Sequence, residues 1–360
     1  MKVLTILFVL LSVLFVYSSD HGIYLRLIDE ANENLSVIEQ KIKANLISGG
    51  FELLRSYEIA SPDKATEDKS EHCGRQGRLL LYQSPEYTRM LTRYGNKYLV
   101  AAFIKVGILQ TDKGWQVLVT DPETINRIVF NDLEDEPYQE VINKTKDVRR
   151  KLINAIHQSK VGKNETTVMP PVRDAEDIRD AAKDMFMMVG PLTFFEDEDQ
   201  FPQIYSARTP DVKKGVLALR DKVHKNIEAF TPDEDDASYN WSSDPADLKW
   251  HIIGEVFSPD SSALLIGITR PRTEALSFKI AGESRATDQD KCPGFDHLCA
   301  YPVEVLILGK DNKVVMHTAR EMFRMDMYFW DAGKMAFMNY MNMPSMLDDS
   351  IKKALLGQSQ

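Results

Sequence analysis

The chain has 360 residues, with 54 Asp and Glu against 44 Lys and Arg, for a net charge of −10. Its 43% hydrophobic and 27% charged content excludes a disordered or fibrous chain. The acidic balance excludes a nucleic-acid binder, which needs a basic face to displace counterions from phosphates, and argues equally against loose docking on anionic lipid.

Residues 1–18 read as a signal peptide. Lys2 precedes an apolar run from Val3 to Val16. That run is shorter than the roughly 20 residues needed to span a bilayer, and Val16 and Ser18 suit the positions before a cleavage site. The expectation is a soluble chain, secreted or periplasmic, with no stable membrane insertion once the signal is removed. Four Asn-x-Ser/Thr sequons, at Asn34, Asn143, Asn164 and Asn240, are glycan acceptors if the pathway is eukaryotic.

Ile23 to Leu27 predict a first strand. Ser36 and Glu39 have capping-box spacing, and Leu35, Ile38, Ile42 and Leu46 recur at helical period up to Gly49. Strands follow at 51–59 and 79–83. Ser84-Pro85-Glu86 opens a helix that stops near Gly95. The apolar run Tyr98 to Leu109 predicts one long strand, turning at Thr111 to Gly114 and returning through Trp115 to Thr120. Asp121-Pro122-Glu123 caps a helix, and a longer amphipathic helix covers about 136–158. Residues 159–174 read as a linker.

The second part predicts helices near 175–188 and from 209 to about 230. Strands follow at 250–257 and 263–269, then a hairpin of Tyr301 to Leu308 with Val314 to Met316. Met322 to Phe329 read as a strand, and two short helices close the chain. Both parts thus carry an apolar strand, a charged hairpin turn, a return strand and a closing helix. The expected fold class is α+β: two similar two-layer units, each an antiparallel sheet backed by helices, spanning 19–158 and 175–360.

The run Tyr98-Leu99-Val100-Ala101-Ala102-Phe103-Ile104-Lys105-Val106-Gly107, its hairpin and Asp121-Pro122 resemble a group of secreted proteins related to the bacterial domain-of-unknown-function 302 family. Ala300-Tyr301-Pro302-Val303-Glu304-Val305, Phe323-Arg324-Met325 and Met341-Asn342-Met343-Pro344 resemble the same group. The resemblance implies a small helix-on-antiparallel-sheet unit present twice. It brings no accepted activity. The group usually has Asn-Pro where this chain has Asp121-Pro122.

Common catalytic frames are missing: the chain has no Gly-rich phosphate loop, His-Glu-x-x-His or Gly-x-Ser-x-Gly. Cys292 and Cys299 bracket a six-residue loop and are expected to form a disulfide; with His297 between them, a zinc site is the alternative. Cys73 is left as a free or intermolecular thiol, and pairing with His72 as a nucleophile is disfavoured because neighbours in a strand face opposite ways. Nine of the 15 methionines lie between residues 316 and 346. Met335, Met338 and Met341 form a helical stripe that reads as core packing, as a pliable wall for an apolar ligand, or as a soft-metal site for copper. Met185, Met187 and Met188 are further candidates for such a wall. The acidic runs 196–199 and 233–236 lack the pattern of a calcium loop. No catalytic residue and no cofactor is assigned. The leading expectation is a non-catalytic binding or interaction module for a small apolar ligand or a protein partner. The alternatives are an extracytoplasmic copper-binding protein and an enzyme whose site is assembled from distant residues.

Overall fold

A computed structural model describes residues 20–179, 201–232, 244–283, 285, 292–332, 340 and 342–357. The first half runs β1 (Tyr24–Ala31), α1 (Leu35–Ser48), β2 (Glu52–Ile59), β3 (Gly77–Gln83), α2 (Pro85–Thr92), β4 (Ile104–Thr111), β5 (Gly114–Thr120) and α3 (Pro122–Val129). It continues through α4 (Asp135–His157), β6 (Lys163–Val168) and α5 (Ala175–Arg179). The second runs β7 (Gln203–Arg208), α6 (Val212–Ala229), β8 (His251–Phe257), β9 (Ala263–Thr269) and α7 (Pro271–Glu283). It closes with β10 (Val303–Lys310), β11 (Lys313–Thr318), α8 (Glu321–Tyr328) and α9 (Met343–Leu356).

The strands form two antiparallel sheets, ordered β2-β3-β4-β5-β1-β6 and β8-β9-β10-β11-β7. The fold is therefore α+β, as expected. From β1 and from β7 onward, the halves pass through the same succession of elements. Each also places a 3₁₀ segment, Asn96–Ala102 or Phe295–Ala300, just before its central hairpin. α9 stands where α4 does, packed on α6 as α4 packs on α1, and β6 has no counterpart among the described residues of the second half.

The sheets face one another. Helices α1 and α4 cover the outer side of the first, α6 crosses the second, and α9 packs on α6. One apolar core runs through both halves, from Ile38 and Leu81 to Ile266 and Leu306. Contacts between the halves are reciprocal: the 3₁₀ segment of each lies on the sheet of the other. Close approach requires small residues on the inner faces. A Cβ on Gly107 would sit 2.3 Å from Leu298, and one on Gly254 would sit 2.5 Å from Leu81.

At the centre the ammonium of Lys105 meets Glu304 Oε1 at 2.6 Å, both buried. Lys105 also donates to the Tyr328 hydroxyl at 3.0 Å. Tyr328 in turn donates to Glu304 Oε1 at 2.7 Å, and Arg324 reaches Oε2 at 3.3 Å. Burial alone would raise the Glu304 pKa, but Lys105 and Arg324 hold it below the ordinary value. Lys105 lies six residues before the hairpin residue Thr111, which pairs Gly114, and Glu304 lies six before Lys310, which pairs Lys313. They occupy the same position in the two halves.

Several expectations are corrected. Helix α1 is capped by Asn34, whose side chain accepts from Val37 N–H, and not by Ser36. The run 98–109 is not one strand, because Tyr98 to Ala102 are 3₁₀; burial on every side gives that segment the composition of a buried strand. The expected strand 322–329 is instead the helix Glu321–Tyr328, which buries Phe323, Arg324, Met327 and Tyr328 at helical spacing. The presumed linker 159–174 holds β6, which pairs with β1. Among the described residues no helix is long and apolar enough to cross a membrane.

Candidate functional site

The halves are tied covalently by Cys73–Cys292. The expected Cys292–Cys299 bridge is therefore wrong, and so is the unpaired reading of Cys73. Cys299, at the end of a 3₁₀ turn, points into the core at 3.8 Å from the Leu118 carbonyl. Burial pushes its thiol up to about 12, so it is inert. The Cys292/His297/Cys299 zinc site falls with it. His72 Nε2 donates to the Thr66 carbonyl oxygen at 2.9 Å, and its neighbour Cys73 is spent in the bridge.

Two clefts flank the strap Cys292-Pro293. The first, of about 350 Å³, is built by both halves. Pro62, Thr66 and Ser70 come from the loop between β2 and β3, and Phe278, Lys279 and Gly282 come from α7. Helix α7 can lie this close to the strap because Gly282 and Gly294 lack side chains; a Cβ on Gly294 would sit 2.0 Å from the Phe278 carbonyl oxygen. Lys279 leans on the rim, donating to Ala65 O at 3.2 Å. The second cleft, of about 500 Å³, is more polar and is lined by Arg26, Arg75, Lys113, Arg285 and Asp296.

A charged knot stands behind the strap. His297 Nε2 lies 2.7 Å from Asp331, its Nδ1 3.1 Å from Asp296, and Arg285 pairs with both carboxylates. Its ring stacks on Phe329. Burial would lower the His297 pKa, but Asp331 and Asp296 raise it to about 9, so the ring is an imidazolium at neutral pH. Such a group, only 3% exposed and carboxylate-bound on both nitrogens, fixes the strap and has no free nitrogen for base catalysis. Because folding raises this pKa, the stabilisation is complete below the unfolded value near 6.5 and is lost as pH rises through about 9. Unfolding free energy should fall by roughly 3 kcal/mol at most across that window. His297→Gln should flatten the slope, which urea melts at stepped pH will test.

A crevice between α7, α8 and α9 is lined by Ile280, Ala281, Met325, Phe329, Met343 and Leu347. It holds about 10 Å³, space for a single water at most, and so it is packing rather than a ligand site. Met335, Met338 and Met341 lie outside the described residues, as do Met185, Met187, Met188, both acidic runs and Asn240. Asn34, Asn143 and Asn164 are exposed; Asn164 donates its amide nitrogen to His157 O at 3.1 Å. Sequence reasoning missed α7 and the pairing of Cys73 with Cys292. Thr269-Arg270-Pro271 carried a helix-start signal for α7. For two cysteines 219 residues apart there was no local signal.

No family model and no curated protein sequence matches the chain. Among solved structures the chain is similar to an uncharacterized conserved protein, DUF302, from Bacillus stearothermophilus. The two share 12% identity and a TM-score of 0.30, over 38% of this chain and 96% of that one.

Proposed function

We propose that the protein is an extracytoplasmic, non-catalytic binding module that takes a small, mainly apolar ligand in the cleft beside Cys292. The cleft carries this reading. Its volume of about 350 Å³ falls at the lower end of small-molecule pockets, and it opens at a junction between two halves, where such pockets concentrate. Pro62 and Pro293 give apolar surface for a ligand body, and Lys279, Thr66 and Ser70, with Glu71 and Glu283 beside them, suit one polar end. The sealed state of His297 argues against catalysis by that group.

Ser70 is exposed at the rim, so Ser70→Trp fills the opening while sparing the core. An anilinonaphthalene dye should bind the wild-type cleft, and Ser70→Trp should weaken it at least tenfold with an unchanged melting temperature. Equal dye binding by the two proteins would refute the reading. Native mass spectrometry of the purified wild type identifies any ligand carried along.

The reading includes export: the exported chain should begin near Ser19 or Asp20 by N-terminal sequencing, and Met1 retained in a membrane fraction would contradict it. It also includes tandem duplication, with the units meeting after β6. The matching strand orders and the shared position of Lys105 and Glu304 support that view.

A further inference from the structure

We propose that Cys73, Cys292 and Asp63 form a redox-gated site for a borderline-soft divalent metal of the zinc type. The ligand atoms of these three residues all lie within 4.8 Å of one another. Asp63 and Cys73 come from the loop between β2 and β3 and Cys292 from the other half, brought together where the halves meet. Asp63 is oriented by two backbone donors, Cys73 N–H at 2.8 Å and Gly74 N–H at 2.9 Å, and its Oδ1 lies 3.9 Å from Cys292 Sγ.

The chemistry follows from charge. An external dithiol reduces the bridge: two electrons and two protons pass to the protein sulfurs, and the reagent leaves as its own disulfide. The site then holds two thiols and a carboxylate in one small volume. Ionising both thiols there would place three anions together, which is unfavourable without a cation. A divalent ion displaces the two thiol protons and leaves the site with one net negative charge. Two thiolates and a carboxylate are three protein ligands, the number that leaves a tetrahedral zinc with one position for water or a bound molecule. Cys292 lines both clefts, and Cys73 is half-buried, so solvent provides access. Affinity should rise with pH, since two protons are released. The oxidised protein, with both sulfurs joined, lacks the site. The proposal does not rest on the apolar-ligand reading, and the dye experiment and metal uptake can fail separately.

The test uses the full chain, reduced with a phosphine, freed of reductant under argon and titrated with zinc(II) against a chromophoric chelator. One ion per chain is expected, with none for the oxidised protein or for Cys73→Ser. Cys299→Ala should bind as the wild type does. Cobalt(II) should give thiolate charge-transfer absorption and tetrahedral d–d bands. Asp63→Asn should weaken zinc by about tenfold or more, in the range typical when a metal site loses a supporting group. Re-formation of the disulfide on re-oxidation of Asp63→Asn will show that its loop is in place. X-ray absorption of the wild-type zinc form decides without any variant: two sulfurs with oxygen neighbours are expected. No uptake by the reduced wild type, unaltered affinity in a properly folded Asp63→Asn, or a shell lacking two sulfurs would overturn the proposal.

Discussion

Lys105→Met should lower the unfolding free energy by about 3–5 kcal/mol, the usual cost of leaving one member of a buried ion pair without its partner. The lysine ammonium is 3% exposed and Glu304 5%, so water cannot take the lost role. Arg324 and Tyr328 still face Glu304, yet neither occupies the ammonium's place between the sheets. A second substitution separates charge from packing. In Lys105→Met/Glu304→Gln, the glutamine keeps an acceptor for Tyr328 and Arg324 but no longer carries a stranded charge. Most of the lost stability should return, because a buried pair replaced as a unit is often nearly neutral. Urea denaturation of the three proteins gives the comparison. A double variant as weak as Lys105→Met would mean that the loss comes from packing and not from the stranded carboxylate.

Cys73→Ser should cost a similar amount by a different route. The bridge closes a loop of 219 residues. Loop-closure entropy for that length amounts to about 5 kcal/mol of unfolded-state destabilisation. The wild-type protein should therefore unfold at markedly lower urea under reducing conditions, whereas Cys73→Ser should unfold at the same low concentration with or without reductant. Cys299→Ala should retain the redox dependence in full, since its sulfur lies in the core and takes no part. If Cys299→Ala abolished the dependence, the bridge would have been assigned to the wrong sulfurs.

Periodic stretches were legible in the sequence. α1, α4 and α6 each show an apolar stripe, and β8, β9 and the β10–β11 hairpin follow from short apolar runs with turn residues between them. At the second hairpin Asp311 and Asn312 both adopt positive φ, which suits the two-residue turn that joins Lys310 to Lys313. Segments buried on all sides were not legible. Tyr98 to Ala102 and most of α7 touch core on every face, so no polar side marks the helical period. β7 failed for the opposite reason: it is an edge strand, largely exposed, with too few apolar residues to signal a face. The site was less visible still. Pro62, Ser70, Lys279 and Cys292 meet only through tertiary packing, and Cys299, seven residues from Cys292, was a misleadingly close partner.

The placement of Lys105 opposite Glu304 has a consequence for which surfaces can join. Equivalent positions that touch each other lie next to an approximate two-fold axis. Two identical chains meeting in this way would set lysine against lysine, or glutamate against glutamate, in a dry interface where like charges repel strongly. The two halves of one chain escape that restriction, since each has its own sequence. Opposite charges at the axis therefore select the mixed pairing: a first half rejects another first half, a second half rejects another second half, and each accepts the other.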